Sequence, residues 1–308
     1  MHSACSFRKR SQSVCLSLLI LGMGLWMSCT STAPSYAAEL QETPVPVLQS
    51  DQRRLLEKIR MANIIYLGET HDQLADHQAQ LGIIQALHHG NSRMAIALEM
   101  FQKPYQVWLS GALSEAQLLT QTEYQKRWGF DWDFYAPIFR FARVKSLPLL
   151  AINTPSEITR KVARFGLDSL SGDDFKWIPP RADIDLGSAS YRKRILETYE
   201  SFHQGKGNGD GFERFFQAQV LWDETMAAAI AKSWLNHPDR QIVVLVGQGH
   251  LLFGEGIPSR VARRIKAAGC KDWRQVSVLL NPSEVIQKDS TRAADFFWFS
   301  EAQPKSGG

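Results

Sequence analysis

Short hydrophobic runs bounded by polar turn residues alternate along this chain with longer amphipathic stretches. Asp51 can cap a helix that continues through Arg60. The β-branched and aliphatic run from Ala62 to Leu67 predicts a buried strand. Gln73 to His88 carries Leu74, Leu81, Ile84 and Leu87 at near-helical spacing and predicts a helix. Met94 to Leu98 reads as a second strand ending in Glu99, and an aromatic-rich helical region spans Pro104 to Lys145. A third strand, Leu147 to Ile152, ends at Asn153. Pro155 to Gln204 reads as helices separated by Pro179-Pro180, and Gly205 to Gly211 is a flexible break. A long helix from Phe212 to about Leu235 leads into a fourth strand at Ile242. A helix from Pro258 to Ala267 then leads to a last strand, Gln275 to Leu280. Strands alternating with helices imply right-handed crossovers, hence an α/β fold whose mostly parallel sheet is covered on both faces. The domain so defined covers 51–285, with a flexible segment at 38–50 before it and a tail at 286–308 after it.

The first 37 residues have the layout of a secretory signal. Arg8, Lys9 and Arg10 precede an apolar stretch from about Val14 to Met27, and small residues ending Ser35-Tyr36-Ala37 fit cleavage before Ala38. The apolar run is short for a membrane span. Lipid attachment at Cys29 is the alternative, although Trp26-Met27-Ser28 is a poor lipobox. The expected location is therefore an exported one, periplasmic or, with Cys29 lipidated, membrane-anchored.

Removing the leader changes the charge balance. The chain has 35 basic and 31 acidic residues, and the three basic residues of the leader leave 32 against 31. Near-neutrality gives no electrostatic case for nucleic acid or anionic lipid as a partner. Of four cysteines only Cys270 follows Ala38, so the processed chain is expected to form no internal disulfide and no cysteine-based zinc or iron–sulfur site.

The candidate chemistry sits at strand ends. Gly68-Glu69-Thr70-His71 follows the first strand, and Gly247-Gln248-Gly249-His250 follows the fourth. In both Gly-x-x-His segments the glycine allows a sharp exit from the sheet, and ligands of open α/β sheets bind beyond the carboxyl ends of the strands. Parallel pairing would gather Glu69, His71, Glu99, Asn153 and His250 along one rim. Two imidazoles with carboxylates can share general acid, base and electrophile roles, which makes His71, His250, Glu69 and Glu99 the catalytic candidates. His71, His250 and Glu99 could instead hold a divalent ion. Asp72 and Asp76 read as helix caps, and Asp223 as an acid that either reaches the rim or bridges the core. The aromatic stretch Trp128, Phe130, Trp132, Phe134, Tyr135, Phe139, Phe141 reads mainly as core. Its other reading is a flat wall for a large planar ligand, with Tyr135 or Tyr124 as an iron ligand. A Gly-x-Ser-x-Gly elbow and a P-loop are both absent from the sequence.

Six ordered segments resemble the ChaN-like haem-binding uptake family, of the wider superfamily that includes Tiki proteases, TraB proteins and erythromycin esterases. They are Ile64 to Asp72, Ala97 to Phe101, Trp132 to Ile138, Ala151 to Asn153, Asp223 to Ala227 and Val246 to His250. The resemblance implies a three-layer α/β/α fold with helical insertions and an exported or lipid-anchored protein. For the ChaN branch it implies haem held in a homodimer interface by a tyrosine from one subunit and a histidine from the other. His71, His250 and Glu99 match the family's histidine and glutamate positions, whereas no motif fixes the tyrosine. The superfamily also leaves open a metal-dependent hydrolase, an esterase or peptidase working through the paired Gly-x-x-His motifs.

Mass spectrometry of the protein from its native host should find an amino terminus at or near Ala38. An intact terminus would refute soluble export, and a diacylglyceryl mass on Cys29 would establish the anchored form.

Overall fold

A computed structural model of the protein describes residues 48–110, 113–203, 209–288 and 292–300. The leader, Cys29, most of the 38–50 segment, the first half of the Gly205–Gly211 break and the last eight residues lie outside these. Six strands form one parallel sheet in the order β3-β2-β4-β1-β5-β6. They are β1 (Ile64–Glu69), β2 (Met94–Gln102), β3 (Leu149–Asn153), β4 (Gln241–Gly247), β5 (Gln275–Leu280) and β6 (Phe296–Trp298). The chain moves outward from β1 to β2 and β3, returns to insert β4 between β2 and β1, then continues to the other edge. This reversal makes β1, β4 and β2 neighbours, so their carboxyl ends open onto one crevice.

Strand alternation builds two cores. Ile65, Leu67, Ile96, Leu98, Val243, Leu245 and Val278 face a layer formed by α1 (Ser50–Ile59), α2 (Leu74–Gly90), α4 (Glu115–Gln121), α5 (Tyr124–Arg127) and α6 (Ala136–Val144). Ile64, Tyr66, Ile242, Val244, Val246 and Leu279 face α9 (Gly209–Asn236) and α10 (Ile257–Ala267). Both faces of each central strand are therefore buried, which explains the nearly continuous apolar runs in the sequence. A third core joins α7 (Ser156–Phe165), α8 (Ala189–His203) and the first half of α9 through Ile158, Val162, Tyr191, Ile195 and Phe216. The architecture is the expected three-layer α/β/α fold with a helical insertion.

One open edge of the sheet is closed by a side chain. Gln106, opening α3 (Gln106–Leu109), donates from Nε2 to the Leu149 carbonyl at 2.8 Å and accepts at Oε1 from the Ala151 N–H at 2.7 Å. It satisfies β3 as a neighbouring strand would, which blocks edge-to-edge pairing there.

Two features differ from the sequence expectations. The segment expected as a tail supplies α11 (Glu284–Lys288) and β6, whose three residues are too few for the alternation signal that marks longer strands. β2 continues past Leu98 to Gln102, with an irregular register against β3 between Leu98 and Gln102. Such an irregularity re-aims side chains, and Glu99 lies in it. Cys270 is buried just after α10, and the other three cysteines lie outside the described residues.

α9 and α10 are joined by a buried charge cluster. Glu224, fully buried, meets Arg263 at 2.6 Å, Arg264 at 2.5 Å and Arg260 at 3.3 Å, and accepts from the Asp185 N–H at 3.0 Å. Removing one partner of a buried ion pair strands the others. Glu224→Ala should therefore lower the unfolding free energy by about 3–5 kcal/mol, measured by denaturant titration, while an exposed change such as Glu284→Ala should move it by less than about 0.5 kcal/mol.

Candidate functional site

Two histidine clusters meet at the carboxyl rim. The first is built on Glu69, the last residue of β1, which is 2% exposed. Its Oε1 accepts from His71 Nδ1 at 2.9 Å and from the Tyr135 hydroxyl at 2.5 Å. Its Oε2 accepts from Gln80 Nε2 at 2.5 Å and lies 3.7 Å from His77 Nδ1. His77 and Gln80 are three apart on the buried face of α2, and His77 stacks on Phe134. Tyr135, Gln80 and His77, three side chains from α2 and the start of α6, thus surround both oxygens of one carboxylate, and that carboxylate fixes the His71 ring. The bond to Nδ1 leaves Nε2 without a hydrogen-bond partner among the described residues. His71 is also the less enclosed imidazole, its side chain 27% exposed and flanked by Trp128 and Phe130 at 4.7 and 4.9 Å between ring centroids.

The second cluster centres on His250. Its Nε2 lies 3.3 Å from Glu99 Oε1 and its Nδ1 lies 2.5 Å from Asp223 Oδ1. Glu99 Oε2 also accepts from the Gly247 N–H at 2.7 Å, and Asp223 Oδ2 accepts from the Tyr191 hydroxyl at 2.5 Å. Burial alone would lower the His250 pKa, but Glu99 and Asp223 outweigh it and raise it to about 10. Burial would raise Glu99, but His250, His71 and the Gly247 N–H hold it below the ordinary carboxylate range. At neutral pH the ring is an imidazolium between two carboxylates.

Glycine lets the clusters touch. A Cβ on Gly247 would stand 2.9 Å from His71 Cε1 and 3.0 Å from Nε2, so only glycine leaves room for that ring edge. A Cβ on Gly256 would lie 2.1 Å from the His250 carbonyl oxygen, so the loop after β4 can wrap the second cluster only with glycine there. Charge couples the two sites. Burial lowers the His71 pKa, yet hydrogen bonding to Glu69 and the charge of Glu99 raise it overall, against repulsion from His250.

The rim thus brings together His71, His250, Glu69 and Glu99, as the sequence pattern implied. Asn153 plays a different part: its Nδ2 donates to the Glu99 carbonyl and its Oδ1 accepts from the Thr154 N–H, bracing β3 against β2. Asp223 reaches the rim. Asp76 is no exposed cap but a buried acceptor for the Thr70 N–H and Asn281. The divalent-ion reading of His71, His250 and Glu99 finds no support among the described residues. Both nitrogens of His250 are engaged by carboxylates, and no group of three or more His, Cys, Asp or Glu among the described residues is arranged to hold a metal. Tyr135 and Tyr124, the candidate iron ligands, lie in the core. Tyr135 is buried and bonded to Glu69, Tyr124 is buried with its hydroxyl unpartnered, and burial pushes both phenols well above their usual pKa. The aromatic stretch is core, as its spacing suggested, apart from the faces that Trp128 and Phe130 turn to His71. Gln80, His77 and Tyr191 went unrecognised as site residues. The signal for the first two was polar side chains inside the apolar stripe of α2.

Residues 55–261 match a family model described as haem-binding uptake, Tiki superfamily, ChaN. The chain belongs to this family. Among solved structures, ChaN of Campylobacter jejuni with cofacial haem is similar at a TM-score of 0.53 and 20% identity, covering 75% of this chain and 86% of that one. An erythromycin esterase, EreC, gives a TM-score of 0.43 at 14% identity, covering 76% and 74%. Protein RETICULATA-RELATED 5, chloroplastic, of Arabidopsis thaliana is 27% identical over 89% of this chain, which spans 39% of that relative's length. In this ChaN-family chain the likeness to the Campylobacter protein concerns the fold.

The buried imidazolium makes stability depend on pH with a definite sign. His250 titrates near 10 in the folded chain against 6.5 ordinarily, so its contribution is complete below about pH 6.5 and is lost as pH rises toward 10. Glu99, lowered from 4.5, contributes above about pH 4.5 and less as pH falls. Scanning calorimetry should find the melting temperature falling from pH 7 to 10 more steeply in the wild type than in His250→Gln. Parallel slopes would show that the imidazolium is not what links stability to pH.

Proposed function

We propose that this protein binds haem at the carboxyl rim and serves haem or iron handling outside the cytoplasm, as a homodimer with haem at the interface. The observation that carries the reading is His71: a rim imidazole with an unbonded Nε2, held by a carboxylate and flanked by two aromatic rings, in a chain of the ChaN family. The donor set suits the group. A carboxylate on the far nitrogen of a ligating histidine fixes its orientation and raises its basicity, as Glu69 would for His71. Trp128 and Phe130 would give a flat porphyrin apolar contact. Bound haem supplies an iron centre that accepts an imidazole or phenolate ligand. Tyr135 and Tyr124 would have to leave the core to reach iron, so the proposal rests on His71. His250 would act beneath the site, keeping Glu99 and Gly247 in place against His71. The distinction between haem binding and hydrolysis is chemical: a metal-dependent hydrolase would need ligating or basic nitrogen at His250, and both of its nitrogens face carboxylates.

Haemin titrated into the purified protein should give a saturable Soret change, with sedimentation showing a shift from monomer to dimer. His71→Ala should weaken binding about tenfold or more, in line with loss of a metal ligand or its orienting partner. Absence of saturable binding would overturn the proposal, and unchanged affinity in His71→Ala would remove His71 as the ligand.

A further inference from the structure

The end of the sheet opposite the histidine rim holds a cleft of about 540 Å³. It lies between α1, the end of α2 and the turn that enters β4. That volume falls within the range of about 300–1,000 Å³ usual for small-molecule sites. Its chemistry is divided. Leu56, Ala62 and Leu87 are buried apolar residues along it, and Leu48, Met61 and Ala86 extend this surface toward solvent.

The charged residues of the cleft do not cancel. Glu57 is held by Arg60 at 3.0 Å, and Asp239 is held by Arg93 at 3.4 Å. Arg53 donates to the Leu48 carbonyl and has no carboxylate partner among the described residues. The side chain of Arg240, half-buried at the mouth of β4, has no hydrogen-bond or ion-pair partner among the described residues. Among the described residues, two guanidinium charges are therefore uncompensated beside an apolar surface.

A second observation comes from the floor. Gln241, the first residue of β4, is 5% exposed and lines the cleft. Its Nε2 donates to the carbonyls of Arg60 and Ala62 at 3.0 and 2.7 Å, which fixes the orientation of the amide, since reversal would set oxygen against two oxygens. Oε1 is left buried without a partner. A buried orphan acceptor is costly, so a donor arriving at this floor would be favoured.

We propose that this cleft is a second binding site, for a small amphiphilic anion. Its acidic head meets Arg240 and Arg53, its apolar body lies along Leu56 and Leu87, and a hydroxyl or N–H near the head satisfies Gln241. A guanidinium pairs with a carboxylate or phosphate head through charge-assisted hydrogen bonds, whereas a neutral head would leave it unmatched. The site is separate from the histidine rim, across the length of the sheet.

The test is calorimetric titration of the full-length protein with sodium decanoate, decanol and inorganic phosphate. Decanoate is expected to bind saturably at one per chain, and decanol and phosphate at least about tenfold more weakly. Arg240→Ala, which removes the charge, and Ala86→Trp, which fills the cleft from a half-buried helix position, should each weaken decanoate about tenfold or more while keeping the wild-type circular dichroism spectrum. No saturable decanoate binding, or the same affinity in both variants, would overturn the proposal. Phosphate binding as tight as decanoate would overturn it too, leaving an adventitious anion only.

Discussion

The rim is organised by one buried cation. His250, on the loop after β4, is charged because Glu99 from β2 and Asp223 from α9 stand on either side of it. Burying three charges is costly, and the cost is offset only if their remaining hydrogen-bonding capacity is met. The Gly247 N–H and the Tyr191 hydroxyl meet it. The sheet, α9 and α8 are thereby fixed relative to one another at the point where chemistry is expected. Gly256, pressed against the His250 carbonyl, closes the loop around the cluster.

Glu69 does the complementary work with fewer charges. Tyr135 and Gln80 hold its oxygens from the α2 and α6 side, so the direction of His71 is set by a helix and an aromatic segment remote in sequence from the Gly-x-x-His motif. The two clusters thus draw their support from opposite layers and meet across β4, at Gly247. Either histidine alone would be an ordinary strand-end residue. Their distinction comes from β4 lying between β1 and β2, which sets Glu69 level with Gly247.

The same central strands present their amino ends to the cleft near Gln241, roughly 20 Å away for a strand of six residues at about 3.3 Å each. One end of the sheet concentrates imidazole and carboxylate, and the other concentrates guanidinium and apolar surface. The stiff, fully buried strands between them leave little room for one end to deform when the other is occupied.

Periodicity and turn chemistry were enough to place most elements, because buried parallel strands and amphipathic helices write their environment into consecutive residues. The strand from Gln275 to Leu280 and the helix ending at Ala267 were legible to the residue. The gathering of His71, His250, Glu69 and Glu99 was legible too, since parallel strands must deliver their carboxyl ends to one side. What the sequence alone could not decide was which groups partner which. Tyr135 read as a candidate iron ligand because a phenol has the right donor, yet packing turns it inward onto Glu69. His250 read as a metal ligand or base, yet Asp223, 27 residues earlier, converts it to a cation. Hydrogen-bond partners and local dielectric depend on contacts between distant residues, and only the tertiary structure sets those.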